Sequence, residues 1–337
     1  MILEQEYEVL QNSIGVDNIN MRTLLEHTKS VSSKWENFIV NNENGVNFDL
    51  DKNLKLVYNP QNGDIRQVDL TANAFQQLCS KVGVPSQYVK KCISNGKMDL
   101  ALDNFHAWAK DANANMMIRE YDGVARAVLS EKYKPFDSHR LMKTLYSVVD
   151  DKKYQPNQVY LSQDKMHIRF VNFEPLPIDN DRLYSGFTVS SSDVGLASIN
   201  VKYFVYRFAC KNGIVVSNLG GTLFKQSHIG ANMDNGKLSV FNKALMNIDL
   251  LNGQVTNIIQ EQQKKFLKDF ELNMYLEKAR RDLRLSEKSQ EKLLSIIDGK
   301  YNRSTWGVIN GITELAQDFT LDTRIEFENW AGDLLVA

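Results

Sequence analysis

The chain has 337 residues, 43% hydrophobic and 24% charged, with 40 Lys and Arg against 41 Asp and Glu and a formal net charge of -1. That length and apolar content are ample for a large core and exclude disorder as the main state. A balance so close to zero also excludes a polybasic protein that grips nucleic acid through its overall field, so any anion site must be local.

The first residues, Met1-Ile2-Leu3-Glu4-Gln5-Glu6-Tyr7-Glu8, are acidic where a secretory leader is basic. The most apolar stretch, Val201 to Val216, is broken by Lys202, Arg207 and Lys211. A cytoplasmic protein with no membrane span is expected, in the host cytoplasm if a phage encodes it. Cys79, Cys92 and Cys210 are odd in number and form no CxxC pattern, which reads as reduced, buried thiols.

Residues 1–65 are rich in Asn and acidic groups, with turn signals at Asn44-Gly45 and Asn62-Gly63, and read as a loosely specified N-terminal region. A first helix is predicted after Thr71 as N-cap, with Phe75, Leu78, Cys79 and Val82 as its stripe and Gly83 and Pro85 as its stop. Further helices are expected over Ser86 to Ile93 and Asp99 to Lys110. The period then changes. Met116 to Tyr121 and Val124 to Ser130 flank Asp122-Gly123, a two-residue loop suited to a type I′ turn, and predict a β-hairpin. Strands follow at Gln158 to Leu161, Met166 to Phe173, Gly186 to Ser190 and Ile199 to Cys210. After about residue 240, Val255, Ile259, Phe266, Phe270 and Met274 predict one face of a long helix, then come a helix capped by Ser286 and a last one around Trp306 to Phe319. The whole reads as α+β, an antiparallel hairpin-rich sheet flanked by N-terminal and C-terminal helices, with a core over 66–240 and a helical region over 241–337 packed on it.

The motif search yields neither an enzyme nor a cofactor. His27, His106, His139, His167 and His228 lack close metal-ligand partners, so no metal is expected. No GxxxxGK[ST] phosphate loop and no Gly-x-Ser-x-Gly elbow occurs, and Asn218-Leu219-Gly220-Gly221-Thr222 lacks the lysine of a phosphate loop.

The hairpin and the strand near residue 203 carry the sharper inference. With Asp122-Gly123 as turn, Tyr121 pairs with Val124 and Arg119 falls opposite Arg126, unless a one-residue bulge intervenes. Like charges so placed require an anion, either an internal carboxylate such as Asp137 or Asp193, or a phosphate. From Val194 to Met233 there is no acidic residue, while Lys202, Arg207, Lys211 and Lys225 make the segment +4 against -5 for the remainder. In a strand, Tyr203, Val205 and Arg207 share a face opposite Phe204, Tyr206 and Phe208. That face is either a core strand or, with the arginine pair, part of a stacking-capable groove for single-stranded nucleic acid.

At these residues the sequence resembles a phage- and plasmid-encoded family known as domain of unknown function 932. The resemblance rests on Leu70-Thr71-Ala72-Asn73-Ala74-Phe75-Gln76-Gln77-Leu78-Cys79, on Tyr121-Asp122-Gly123-Val124-Ala125-Arg126-Ala127-Val128-Leu129-Ser130 with Tyr133-Lys134-Pro135-Phe136-Asp137, and on Ser191-Ser192-Asp193-Val194-Gly195. It continues through Tyr206-Arg207-Phe208-Ala209-Cys210-Lys211-Asn212-Gly213 and Trp306-Gly307-Val308-Ile309-Asn310-Gly311-Ile312-Thr313-Glu314, spanning roughly residues 66–332. The family is carried on mobile elements, and its helix-and-hairpin order is similar to that of phage annealing recombinases, a likeness of fold alone. Arg119, Arg126, Tyr133, Asp137, Arg207 and Asn212 carry over as its site positions. The expected function is therefore a non-enzymatic protein of phage DNA metabolism that binds single-stranded DNA through Arg119, Arg126, Tyr133, Lys134, Lys202, Tyr203, Arg207, Lys211 and Asn212, promotes annealing and forms a homo-oligomer. The alternatives are a counter-defence or other interaction protein that binds a host protein through an apolar patch with Trp306 and Trp330, and an enzyme using Asp137 and Asp193 on a phosphorylated substrate.

Overall fold

The computed structural model describes residues 2–3, 20–41, 47–112, 115–162, 164–178, 181–207, 212–216, 222–228 and 243–337. Two mostly antiparallel sheets, with helices before and after the strand-rich middle, make the fold α+β. Sheet I has the order β2 (Trp35–Val40), β6 (Met116–Tyr121), β7 (Val124–Ser130), β5 (Arg66–Thr71), β4 (Leu56–Tyr58) and β3 (Phe48–Leu50), with the short β1 (Ile2–Leu3) running parallel to β5. Sheet II has the order β12 (Asn212–Val215), β11 (Ile199–Arg207), β10 (Leu183–Ser191), β9 (Met166–Pro175) and β8 (Gln155–Leu161), and β13 (Thr222–Gln226) also pairs with β11.

The helices of the first half form where the local signals place them. In α2 (Ala72–Val82) the Thr71 hydroxyl accepts from the Ala74 N–H at 3.2 Å, and Gly83 closes the helix in the left-handed region at φ 84°. α3 (Ser86–Ser94) and α4 (Met98–Asp111) follow, and Phe75, Leu78, Val89, Leu102 and Phe105 bury one face of sheet I. Cys79 and Cys92 are buried free thiols there, as expected, and Cys210 lies outside the described residues. Strands β2, β3 and β4 are integral to sheet I, and α1 (Met21–Ser32) sends Met21 and Leu24 into the larger core beside Leu141 and Leu145 of α5 (Ser138–Val148).

That larger core lies on one face of sheet II. Val159, Ile168, Phe170, Phe187, Val189, Val201, Tyr203 and Val205 meet α6 (Ile248–Lys264), α7 (Asp269–Asp282), α8 (Glu287–Lys300), α9 (Thr305–Leu315) and α10 (Leu321–Leu335) there. The single long helix expected after residue 240 is two. Leu267 turns into the core and its N–H donates to the Arg303 carbonyl at 2.8 Å, which breaks the period between α6 and α7. Phe266, Phe270 and Met274 consequently face solvent, at 69%, 73% and 58% exposure, instead of the core.

In the hairpin, Asp122 and Gly123 adopt φ of 55° and 77° and Tyr121 pairs with Val124, as expected for the turn. The cross-strand arginine pair, however, does not form. Arg119 lies opposite Ala127 and Glu120 opposite Ala125, so Arg126 is the extra residue of a bulge. Its carbonyl accepts from Thr71 Oγ1 and Asn73 Nδ2 at the start of α2, which holds the bulge open.

Candidate anion-binding cavity over sheet II

Sheet II has a second face, polar over the part that carries two cross-strand rows and apolar beside them, where Val171, Phe204, Tyr206 and Val215 cluster. Sequence alternation dictates this: His167 and Arg169 alternate with Ile168 and Phe170, Thr188 and Ser190 with Phe187 and Val189, Asn200 and Lys202 with Ile199, Val201 and Tyr203. The register aligns them into two cross-strand rows. One row runs Tyr160, His167, Ser190, Asn200, Lys225, and the next runs Gln158, Arg169, Thr188, Lys202, Thr222. At the usual strand spacing of roughly 4.8 Å, five strands carry each row across about 19 Å.

Helix α10 roofs this face. One side of it enters the main core through Phe327, Ala331, Leu334 and Leu335, and Gly332 permits the approach, since a Cβ there would lie 1.9 Å from the Val215 carbonyl oxygen. Its other side reaches the polar rows. Glu328 pairs with the buried Arg169, the Lys202 ammonium donates to Asn329 Oδ1 at 2.8 Å, Arg324 Nη1 donates to the Tyr160 hydroxyl at 3.1 Å, and Lys165 pairs with Asp322 at 2.9 Å. Arg169 also donates to Gln158 Oε1 at 2.7 Å, and burial pushes the Glu328 carboxyl up while Arg169 opposes it.

Between sheet and roof lies a cavity of about 1270 Å³. Among the described residues, Lys165, Lys202, Lys225 and Arg324 line it against the single carboxylate of Asp322. Among the described residues no carboxylate is in ion-pair contact with Lys202, Lys225 or Arg324. Burial lowers the Lys202 pKa and the Lys225 charge lowers it further, against the opposing field of Asp333. A bound anion would offset both downward effects by favouring the charged ammonium. His167, hydrogen-bonded through Nδ1 to Ser190 Oγ at 2.7 Å, is pushed down to about 3 by burial and by the Arg169 and Lys202 charges, so it is neutral at physiological pH. The site is a cationic rim around a neutral hydrogen-bonding floor, suited to holding a polar anion.

No protein-family model matches the chain, and neither a curated protein nor a solved structure is found to be similar to it.

Among the residues expected from sequence, Lys202 lines this cavity, and the other described ones lie elsewhere. Arg119 is fully buried, donating to Asp137 Oδ1 at 2.7 Å, Asn37 Oδ1 at 2.8 Å and the Asp193 carbonyl at 2.5 Å, so its anion is an internal carboxylate. Arg126 is half-buried with its guanidinium 5.4 Å from the Tyr121 ring centre, its Nε has no hydrogen-bond partner among the described residues, and burial lowers its pKa. Tyr133 is buried and stacked on His228 at 5.1 Å, with its hydroxyl donating to the Ser192 carbonyl at 3.3 Å. Lys134 is exposed, and its backbone N–H donates to the His228 carbonyl at 2.8 Å. Tyr203 belongs to the core face and donates to Asn252 Oδ1 at 3.0 Å, so its ring offers no stacking platform. Arg207 pairs with Asp181 at 2.8 Å and lies 5.2 Å from the Tyr301 ring centre. Lys211 lies outside the described residues. Asn212 pairs through its backbone with Arg207, and its side chain lies outside them too. The expected groove joining the Tyr203 and Arg207 face to an arginine pair is thereby corrected: Tyr203 is in the core, Arg207 pairs with Asp181, and the bulge at Arg126 keeps the two arginines from facing each other. The alternation in β9, β10 and β11 is the signal that would have found the polar rows, but the roof that turns them into a cavity comes from a helix more than a hundred residues downstream.

The apolar patch is corrected as well. Trp306 is buried at 6%, and the half-buried Trp330 donates its Nε1–H to Asp282 Oδ2 at 3.2 Å. Among the described residues no cluster of three or more His, Cys, Asp or Glu side chains is placed to hold a metal ion, and no helix is long and apolar enough to cross a membrane.

Proposed function

We propose that this protein binds single-stranded nucleic acid without chemical turnover, its phosphates meeting the cationic rim of the sheet II cavity and its bases the neutral polar rows. The observation that carries the reading is that, among the described residues, four cationic side chains stand against one carboxylate around a cavity of about 1270 Å³. That volume exceeds the roughly 300–1,000 Å³ of ordinary small-molecule pockets, which favours a ligand extended over several units. Tyr160 is the aromatic residue on the lining, so base contacts here are hydrogen bonds more than stacking, and a preference among sequences is expected to be weak. The resemblance to a family carried on mobile elements makes strand annealing the biological role that fits such binding.

The test is fluorescence anisotropy with a labelled oligo-dT over a salt series. If two to four phosphates are neutralised, log K should fall with log salt at a slope of roughly -1.4 to -2.8. No binding at low salt, or binding indifferent to salt, refutes the reading. A second reading, a protein-binding role, is favoured by the exposed Phe270 and Met274, one turn apart on α7, with the exposed Phe266 in the connection before it. Capture of a host protein that survives nuclease treatment and is lost in Phe270→Ser would support it.

A further inference from the structure

The seam between the two sheets carries a cluster that the cavity does not use. Arg119 on β6 of sheet I binds Asp137, at the N-terminus of α5, and the backbone of Asp193, in the loop between β10 and β11 of sheet II. The Asp193 carboxylate in turn accepts from the Ser138 N–H at 2.9 Å and its hydroxyl at 3.0 Å, so it, and not the N-cap residue Asp137, caps α5. Two carboxylates thus stand beside one guanidinium, which bonds the side chain of Asp137 and only the backbone of Asp193, and Asp193 and Arg119 are both buried.

The other groups around the cluster are accounted for. Tyr133 lies in the field of both carboxylates, and burial raises its pKa far from neutrality. His228, beside Arg119 and Asp137, is held down chiefly by burial. Asp164 accepts from Ser192 Oγ at 2.7 Å through its backbone carbonyl and lies in the field of Arg126. Asp193 itself is pushed up to about 7, first by burial and then by Asp137, against Arg119 and Ser138.

The loop that carries Asp193 also forms a wall of the cavity. Gln77 of α2 donates to the Val194 carbonyl at 2.9 Å, and the next residues, Leu196, Ala197 and Ser198, line the cavity. We propose that the cluster of Arg119, Asp137 and Asp193 at the seam is a one-proton switch that tightens the seam when Asp193 is protonated and loosens the cavity wall when both carboxylates are charged. The physical cause is repulsion between the buried Asp193 carboxylate and the half-buried Asp137 carboxylate beside a single cation, an arrangement in which one proton restores neutrality. The ligand effect rests on the nucleic-acid reading above, whereas the switch itself does not.

Trp35 supplies the readout, since its ring centre lies 4.7 Å from the Arg119 guanidinium. Trp fluorescence of the native full-length protein should titrate with a midpoint near pH 7, and the signal should vanish in Trp35→Phe and in Asp193→Asn. The urea midpoint should fall as pH rises from 5 to 7 and level off above, with that fall absent in Asp193→Asn, which mimics the protonated state. If Asp193→Asn does not fold, NMR titration of carboxyl-labelled aspartate in the wild type decides, with one resonance moving near pH 7. No transition between pH 6 and 8 in the wild type, or the same transition in Asp193→Asn, overturns the switch. Oligo-dT affinity should change at least threefold between pH 6 and 8 in the wild type and not in Asp193→Asn. An unchanged affinity alongside a fluorescence transition removes the coupling to the cavity. Failure to bind oligo-dT at any pH removes the ligand reading and leaves the switch to stand on the fluorescence.

Discussion

Replacement of Arg119 by methionine keeps most of the side-chain volume and removes the cation at the seam. The guanidinium is fully buried and makes three hydrogen bonds, to Asn37, Asp137 and the Asp193 backbone, while resting on the Trp35 ring. Its loss leaves Asp137 and Asp193 without their cation in a desolvated site. Removing one member of a buried ion pair costs about 3–5 kcal/mol, a large share of the roughly 5–15 kcal/mol that holds a domain folded. Equilibrium urea unfolding, followed by circular dichroism and by Trp fluorescence to check that the transitions coincide, measures this directly. Arg119→Lys should fall between wild type and Arg119→Met, because one ammonium cannot span three acceptors placed around a planar fork. A loss below about 1 kcal/mol in Arg119→Met would mean that the cation is dispensable, and the account of the seam would be wrong.

Gly332→Ala should destabilise by about 1–3 kcal/mol, because its Cβ would meet the Val215 carbonyl and push α10 from β12; an unchanged urea midpoint would contradict the close approach. Tyr203→Phe should cost about 1 kcal/mol from the lost bond to Asn252 and leave oligo-dT affinity unchanged, which distinguishes a core ring from a stacking one. Joint charge reversal of Lys202 and Lys225 should leave the fold intact, weaken oligo-dT binding at least tenfold and reduce the steepness of the salt dependence by roughly 0.7 for each phosphate no longer neutralised. For the pH dependence, Asp193 binds its proton more tightly folded than unfolded, so its contribution is complete below the ordinary carboxylate range and is lost as pH rises towards about 7. The slope from one proton is at most about 1.4 kcal/mol per pH unit, measured as the difference between wild type and Asp193→Asn; an opposite sign would refute a raised Asp193.

Local chemistry was legible in the sequence wherever one residue type satisfies one backbone demand. Thr71 and Gly83 bracket α2, Asp122-Gly123 makes the hairpin turn, and Ser286 caps α8 by accepting from the Ser289 N–H, because caps and turns involve residues a few positions apart. The strict alternation of His167, Arg169, Thr188, Ser190, Asn200 and Lys202 likewise contained the polar face of sheet II, since a strand turns every second side chain the same way.

What the chain could not reveal by itself is set by contacts between distant segments. The bulge at Arg126 depends on Thr71 and Asn73 taking its carbonyl from more than fifty residues away. The anion of Arg119 was narrowed to Asp137, Asp193 or a phosphate by charge alone, and only the seam between the sheets decided for Asp137. The cavity exists because α10, anchored by Phe327 and Leu334 in the core, is set down on β12 at Gly332 and thus over the polar rows. Pattern along a chain reports which face of an element is polar; whether that face meets solvent, a partner or a roof is settled by the packing of elements far apart in sequence.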